Sequence, residues 1–125
     1  MTRLVVDASV AVKWFIPEND AQAATRVLRK GHALLAPDLI WAEVGNVFWK
    51  KWRRDEIAHD EAHALLRDFR RFPLEITSSQ SLLAVAWHIA TQSRRSLYDS
   101  LYLALAETHA CRVVTADRRL FNALR

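Results

Sequence analysis

The sequence predicts an α/β fold, a parallel sheet covered by helices on both faces. Three observations carry that prediction. Short apolar runs alternate with longer amphipathic segments along the chain, the pattern of strand–helix–strand units with right-handed crossovers. The composition, 51% hydrophobic and 26% charged in 125 residues, suits a folded chain long enough to bury a core, and one domain over residues 1–125 is expected. Acids also stand at or just after apolar runs, at Asp7 and Asp117, and the carboxyl ends of parallel strands are where ligands gather.

The elements follow in order. Leu4 to Val6 reads as a buried strand, and Ser9 to Ile16 as a short helix ended by Pro17. Asn19 and Asp20 suit the cap of a helix running to Lys30, with Gly31 just past its end. A strand from Ala33 to Ala36 leads through Pro37 and Asp38 into a helix reaching about Trp52. The charged turn Arg53-Arg54-Asp55-Glu56 precedes a helix from His59 to Phe72, with Ala62, Leu65, Leu66 and Phe69 on one face. Leu74 to Ile76 is the next strand. Helices follow from Gln80 to Gln92 and from Tyr98 to Ala110, then a strand from Arg112 to Thr115 and a last helix from Arg118 to Leu124.

Several function classes are excluded. The only glycines, Gly31 and Gly45, cannot build a Walker loop or a dinucleotide fingerprint, which need several glycines at one turn. No apolar stretch is long enough to span a bilayer. The N-terminal run reaches Asp7 too soon for a secretory signal. Cys111 is the single cysteine, so no internal disulfide forms and a cytoplasmic location is expected.

Four acids carry the chemistry: Asp7, Glu43, Asp99 and Asp117. Taken singly, Asp7, Asp99 and Asp117 are accounted for by capping, since each stands near a helix N-terminus. Glu43 is not. It lies well inside its helix between Leu39 and Val47, and a carboxylate facing packed side chains needs a partner. Asp99 shares a face with Leu103, Ala106 and Ala110, so it also points inward. Four carboxylates gathered at one sheet edge repel each other unless a cation joins them, and an all-oxygen set selects Mg²⁺ or Mn²⁺. Ser9, Asn46 and Thr115 are placed to orient such ligands or a water. With those four of the 14 acids neutralised, 10 remain against 18 bases. A basic shell around an acidic pocket suits a polyanion. Lys50, Lys51, Arg53, Arg54, Arg94, Arg95, Arg118 and Arg119 are the candidate phosphate contacts.

The segments Val6-Asp7-Ala8-Ser9, Glu43-Val44-Gly45-Asn46, Tyr98-Asp99-Ser100-Leu101-Tyr102-Leu103-Ala104-Leu105-Ala106 and Val114-Thr115-Ala116-Asp117-Arg118-Arg119-Leu120 resemble the PIN-domain signature. Their order and spacing are most similar to the VapC-type toxins of prokaryotic toxin–antitoxin pairs. The resemblance implies a three-layer α/β/α sandwich, a Mg²⁺- or Mn²⁺-dependent endoribonuclease leaving 5′-phosphate and 3′-hydroxyl ends, and a VapB-type antitoxin as partner. By position, Asp7, Glu43, Asp99 and Asp117 take the family's catalytic and metal-binding roles, with Ser9, Asn46 and Thr115 supporting. Family members usually continue past the position of Arg125 into a last edge strand, which is expected to be missing here. The rival readings are a PIN nuclease of RNA maturation and a non-catalytic RNA-binding module. A phosphoryl-accepting receiver domain fits poorly, because Asp7 stands alone at the first strand.

Two further features bear on function. His59 and His63 stand one helical turn apart, but Asp60 replaces the Glu that a zinc protease needs, so a zinc site is not expected. Trp41, Phe48, Trp49 and Trp52 surround Gly45, either as internal packing or as the interface of a homodimer or of the antitoxin.

Overall fold

The computed structural model describes residues 2–16, 21–28 and 31–123. Its strands are β1 (Thr2–Val6), β2 (His32–Pro37), β3 (Glu75–Thr77) and β4 (Arg112–Val114). They form one parallel sheet in the order β3-β2-β1-β4. Its helices are α1 (Ala8–Phe15), α2 (Ala21–Thr25), α3 (Leu39–Arg53), α4 (His59–Arg70), α5 (Ser79–Ser93), α6 (Leu97–His109) and α7 (Arg118–Ala123). A 3₁₀ turn, Arg26–Leu28, follows α2, so the helix predicted to run to Lys30 tightens early. Pro17, Asn19, Asp20, Lys30 and Leu124 lie outside the described residues.

Both faces of the sheet are covered, and burial along the strands shows why. Successive strand side chains point to opposite faces, yet Val5 and Val6 are both fully buried, and Leu34, Leu35 and Ala36 are all buried. Helix α6 packs on β1, β2 and β4 with α5 against it, while α1, α3 and α4 pack on one another. The result is the three-layer α/β/α sandwich. No helix among the described residues is long and apolar enough to cross a membrane.

An aromatic cluster joins α1, α3 and α4. Phe15 meets Phe48 and Phe69 edge-on at 6.4 and 5.6 Å, Trp41 lies 4.9 Å from Phe69, and Trp14 stacks on Phe72 at 4.6 Å. These separations are those of favourable aromatic pairs. The tryptophan surface around Gly45 is thereby divided. Trp41 and Phe48 are internal packing, and Trp52 is half-buried beside His59. A Cβ at Gly45 would meet Leu66 at 3.5 Å, so the glycine notch admits a side chain of this protein's own α4. Trp49 alone of the set stays largely exposed, at 53%. His59 Nδ1 lies 3.5 Å from Asp60 on the exposed side of α4.

With few glycines, left-handed backbone falls on Asp55, a residue type that tolerates it, and on Arg94 and Ala110, which are less suited to it. Ala110 (φ 51, ψ 46) ends α6 where glycine is the usual choice. The left-handed region costs an L-residue about 1–2 kcal/mol, and glycine's extra chain entropy returns about half of that. Ala110→Gly is therefore expected to stabilise the fold by about 0.5–1 kcal/mol. A thermal melt should move up by about 2–4 °C, and a fall would contradict the strain argument.

Candidate active site

The site is assembled where β1 and β4 end. The register pairs Val6 with Val114, so the next residues, Asp7 and Thr115, emerge together at the carboxyl edge. Asp7 N–H donates to the Val114 carbonyl at 3.3 Å, fixing the start of the turn. The Asp7 side chain caps α1, accepting from Val10 N at 3.2 Å. Capping therefore accounts for Asp7 as expected, but it uses only part of the carboxylate. Ser9 Oγ donates to Asp7 Oδ1 at 2.6 Å, and the Thr115 hydroxyl donates to Oδ2. Ser9 Oγ accepts from Ala116 N at 2.8 Å, and Thr115 Oγ1 from Asp117 N at 3.0 Å. Two hydroxyls therefore tie Asp7 to the loop that carries Asp117.

Asp117 is a helix cap in the ordinary sense. Its Oδ1 accepts from Arg119 N at 2.9 Å and Leu120 N at 3.4 Å, closing the first turn of α7. Asp99 is not a cap. Ser96 takes that role, accepting from Asp99 N at 3.0 Å, which leaves the Asp99 carboxylate three residues into α6 and free of capping duty. Sequence reasoning did not single out Ser96, although a serine three residues before an acid is a recognisable start signal.

Glu43 approaches from the other helical layer. It follows Ile40 and precedes Val44, both fully buried, and its Oε1 accepts from the Tyr102 hydroxyl at 2.5 Å. Tyr102 is itself 2% exposed. The sequence held Tyr102 within a motif but assigned it no task, because nothing local says that a tyrosine on α6 will reach a glutamate 59 residues away. Asn46, by contrast, is exposed and is hydrogen-bonded to none of the four carboxylates.

Burial and neighbouring acids act on two of these carboxyls. Burial pushes the Asp7 carboxyl above its ordinary range, with Asp117 adding repulsion and the bonds from Ser9, Thr115 and Val10 pulling back. Burial likewise raises Glu43, and Asp7 and Asp99 raise it further against the pull of Tyr102. Among the described residues, the charged groups seen to act on these two carboxyls are acids. Burial and the Glu43 charge hold the Tyr102 phenol above its ordinary range, so it remains an O–H donor. As they stand, no three His, Cys, Asp or Glu side chains among the described residues converge tightly enough to hold one ion between them. Asp7 and Glu43 each accept from hydroxyl donors. The donor chemistry, all carboxylate and hydroxyl oxygen, nevertheless fits a hard divalent cation and disfavours zinc.

Basic grooves flank the acids. One of about 460 Å³ is lined by Ser9, Lys13, Lys50, Lys51 and Arg54, between α1 and α3. Another of about 360 Å³ places Arg94, Arg95 and Arg119 beside Asp99 and Asp117. Of the arginines singled out from sequence, two line neither groove: Arg53, its guanidinium 6.0 Å from the Trp49 ring, and Arg118, which lines a separate cavity with Lys13, Thr115 and Asp117. Lys13 was missed, since one lysine in an apolar helix gave no pattern.

An acidic site at the carboxyl edge of a parallel α/β/α sandwich, with basic flanks, defines a class that the sequence itself names. The PIN domain matches residues 4–125, and the chain belongs to that family. It is similar to the ribonuclease VapC3 of Pyrobaculum aerophilum, with 34% identity covering 94% of this chain and 92% of that protein. Among solved structures, its fold is similar to VapC20 of Mycobacterium tuberculosis, described as a sarcin–ricin loop cleaving toxin (TM-score 0.72, 16% identity, 96% and 94% coverage). It is also similar to a chain of a toxin–antitoxin complex from Klebsiella pneumoniae (TM-score 0.67, 16% identity, 94% and 89% coverage).

Proposed function

We propose that this protein is an endoribonuclease dependent on Mg²⁺ or Mn²⁺, and the toxin of a toxin–antitoxin pair whose partner is a VapB-type antitoxin. The observation that carries the reading is the buried Asp7 carboxylate where β1 and β4 end, with Asp117 near enough to act on it and with Asp7 and Asp99 near enough to act on Glu43. The ribonuclease and toxin–antitoxin names of its relatives support it.

Asp7, Glu43 and Asp99 would hold the cation, with Asp117 beside them. When bound, it supplies Lewis acidity toward a phosphodiester and makes a water acidic near neutral pH. The protein's own residues do the rest. Ser9 and Thr115 keep the Asp7 carboxylate oriented. The lysines and arginines of the two grooves position the phosphates on either side of the scissile bond. Lys51 is partly engaged by Glu56 at 3.6 Å, which leaves Lys50 and Arg54 as the stronger candidates on that flank.

Sequencing RNA 5′ ends after induced expression tests this directly, with Asp99→Asn as the control. Discrete new 5′-phosphate ends and growth arrest, relieved by a co-expressed antitoxin, are expected. New ends without arrest would favour a nuclease of RNA maturation. Identical profiles for the two proteins would overturn the enzyme and leave an RNA-binding module.

A further inference from the structure

We propose that Tyr102 is a positioning residue of the acidic site, its buried hydroxyl holding the Glu43 carboxylate in place against Asp99. The inference rests on the cation-dependent reading above and adds a residue to it. Glu43 rides on α3, whose packing partners are α1, α4 and β2, whereas Asp99 rides on α6, which packs on the sheet and α5. The two acids thus belong to different layers, and the Tyr102–Glu43 hydrogen bond at 2.5 Å is a direct tie between those layers at the site. Tyr102 stands one helical turn beyond Asp99, so the same stretch of α6 supplies one acid and the donor that fixes another.

The geometry gives the tie a specific effect. Tyr102 is 2% exposed, so its ring is fixed by packing, and its hydroxyl is aimed rather than sampled. Glu43 is only half-buried and has three side-chain torsions. Without a donor it would turn toward solvent, away from Asp7 and Asp99. Bonded through Oε1, it keeps Oε2 available to a ligand in a fixed direction. Pre-organising a ligand oxygen in this way is worth about 10–100-fold in metal affinity.

Tyr102→Phe removes the hydroxyl and keeps the ring. Its Mn²⁺ affinity, titrated by calorimetry without RNA, is expected to weaken about 10-fold. The half-saturating Mn²⁺ concentration for cleavage should rise in parallel, with the rate recovering in excess Mn²⁺ and the KM for RNA unchanged. Unchanged Mn²⁺ affinity, or a rate deficit that excess Mn²⁺ does not repair, would overturn the positioning role. Should the unsubstituted protein bind no Mn²⁺ and cut no RNA, the underlying reading falls and this one with it. Should it do both and Tyr102→Phe match it, the Tyr102 inference alone falls.

Discussion

Replacing Glu43 by Gln is expected to lower RNA cleavage by about 10³-fold while making the cation-free protein more stable at neutral pH. Both effects arise from the same charge. The carboxyl is raised above its ordinary value of 4.5 by burial and by its acidic neighbours Asp7 and Asp99. Such a group favours the folded state when protonated. That contribution is complete below the ordinary value and is lost as pH rises through the raised one. In chelator, the unsubstituted protein should therefore lose stability between about pH 4 and neutrality, and Glu43→Gln should lose less. The melting temperatures should lie closest at acid pH and separate as pH rises. Asp7→Asn should show the same sign with a smaller gain, because Asp7 accepts from Ser9, Thr115 and Val10 and an amide satisfies fewer of those donors. Asp99→Asn should silence cleavage too, while Asp117→Asn should retain part of it, since Asp117 already serves α7 as a cap. A cleavage rate undiminished in Asp7→Asn, Glu43→Gln or Asp99→Asn would remove that residue from the site. A stability gap that widened toward acid pH would refute the electrostatic account.

Chelation of divalent cations is expected to abolish cleavage, and added Mg²⁺ or Mn²⁺ to restore it. The same ions should stabilise the fold at neutral pH, by about 2.7 kcal/mol at a hundred times their dissociation constant. They should have less effect near pH 4, where Asp7 and Glu43, both raised by burial, favour their protonated forms. Zinc should restore activity poorly, because the site offers oxygen and no imidazole or thiolate. Full activity in excess chelator would overturn the cation-dependent mechanism at once. Melts with and without Mn²⁺ at the two pH values separate a bound ligand from a general salt effect.

Much of this molecule was legible in its sequence, for reasons tied to particular residues. The runs around Leu4–Val6 and Ala33–Ala36 are short, apolar and bounded, so they could only be buried strands, and the structure has them as β1 and β2. Helix periodicity placed α3, α4 and α6 to within a few residues. Glu43 stood out because a carboxylate in mid-helix among apolar neighbours has no local use.

What the sequence determined by itself was the order of elements and the parallel α/β class, since these depend on local pattern. The tertiary structure decided the rest. It spent Trp41 and Phe48 on the aromatic cluster and set Leu66 beside Gly45, because which face of a helix is covered depends on neighbours distant in the chain. It sent the Asp38 carboxylate to Ser79, at the start of α5, rather than to its own helix. It kept Ser9 and Thr115 beside Asp7 but left Asn46 exposed, and it brought Tyr102 to Glu43. Those pairings are contacts across up to 108 residues of chain, and only the packing of helices on the sheet fixes them.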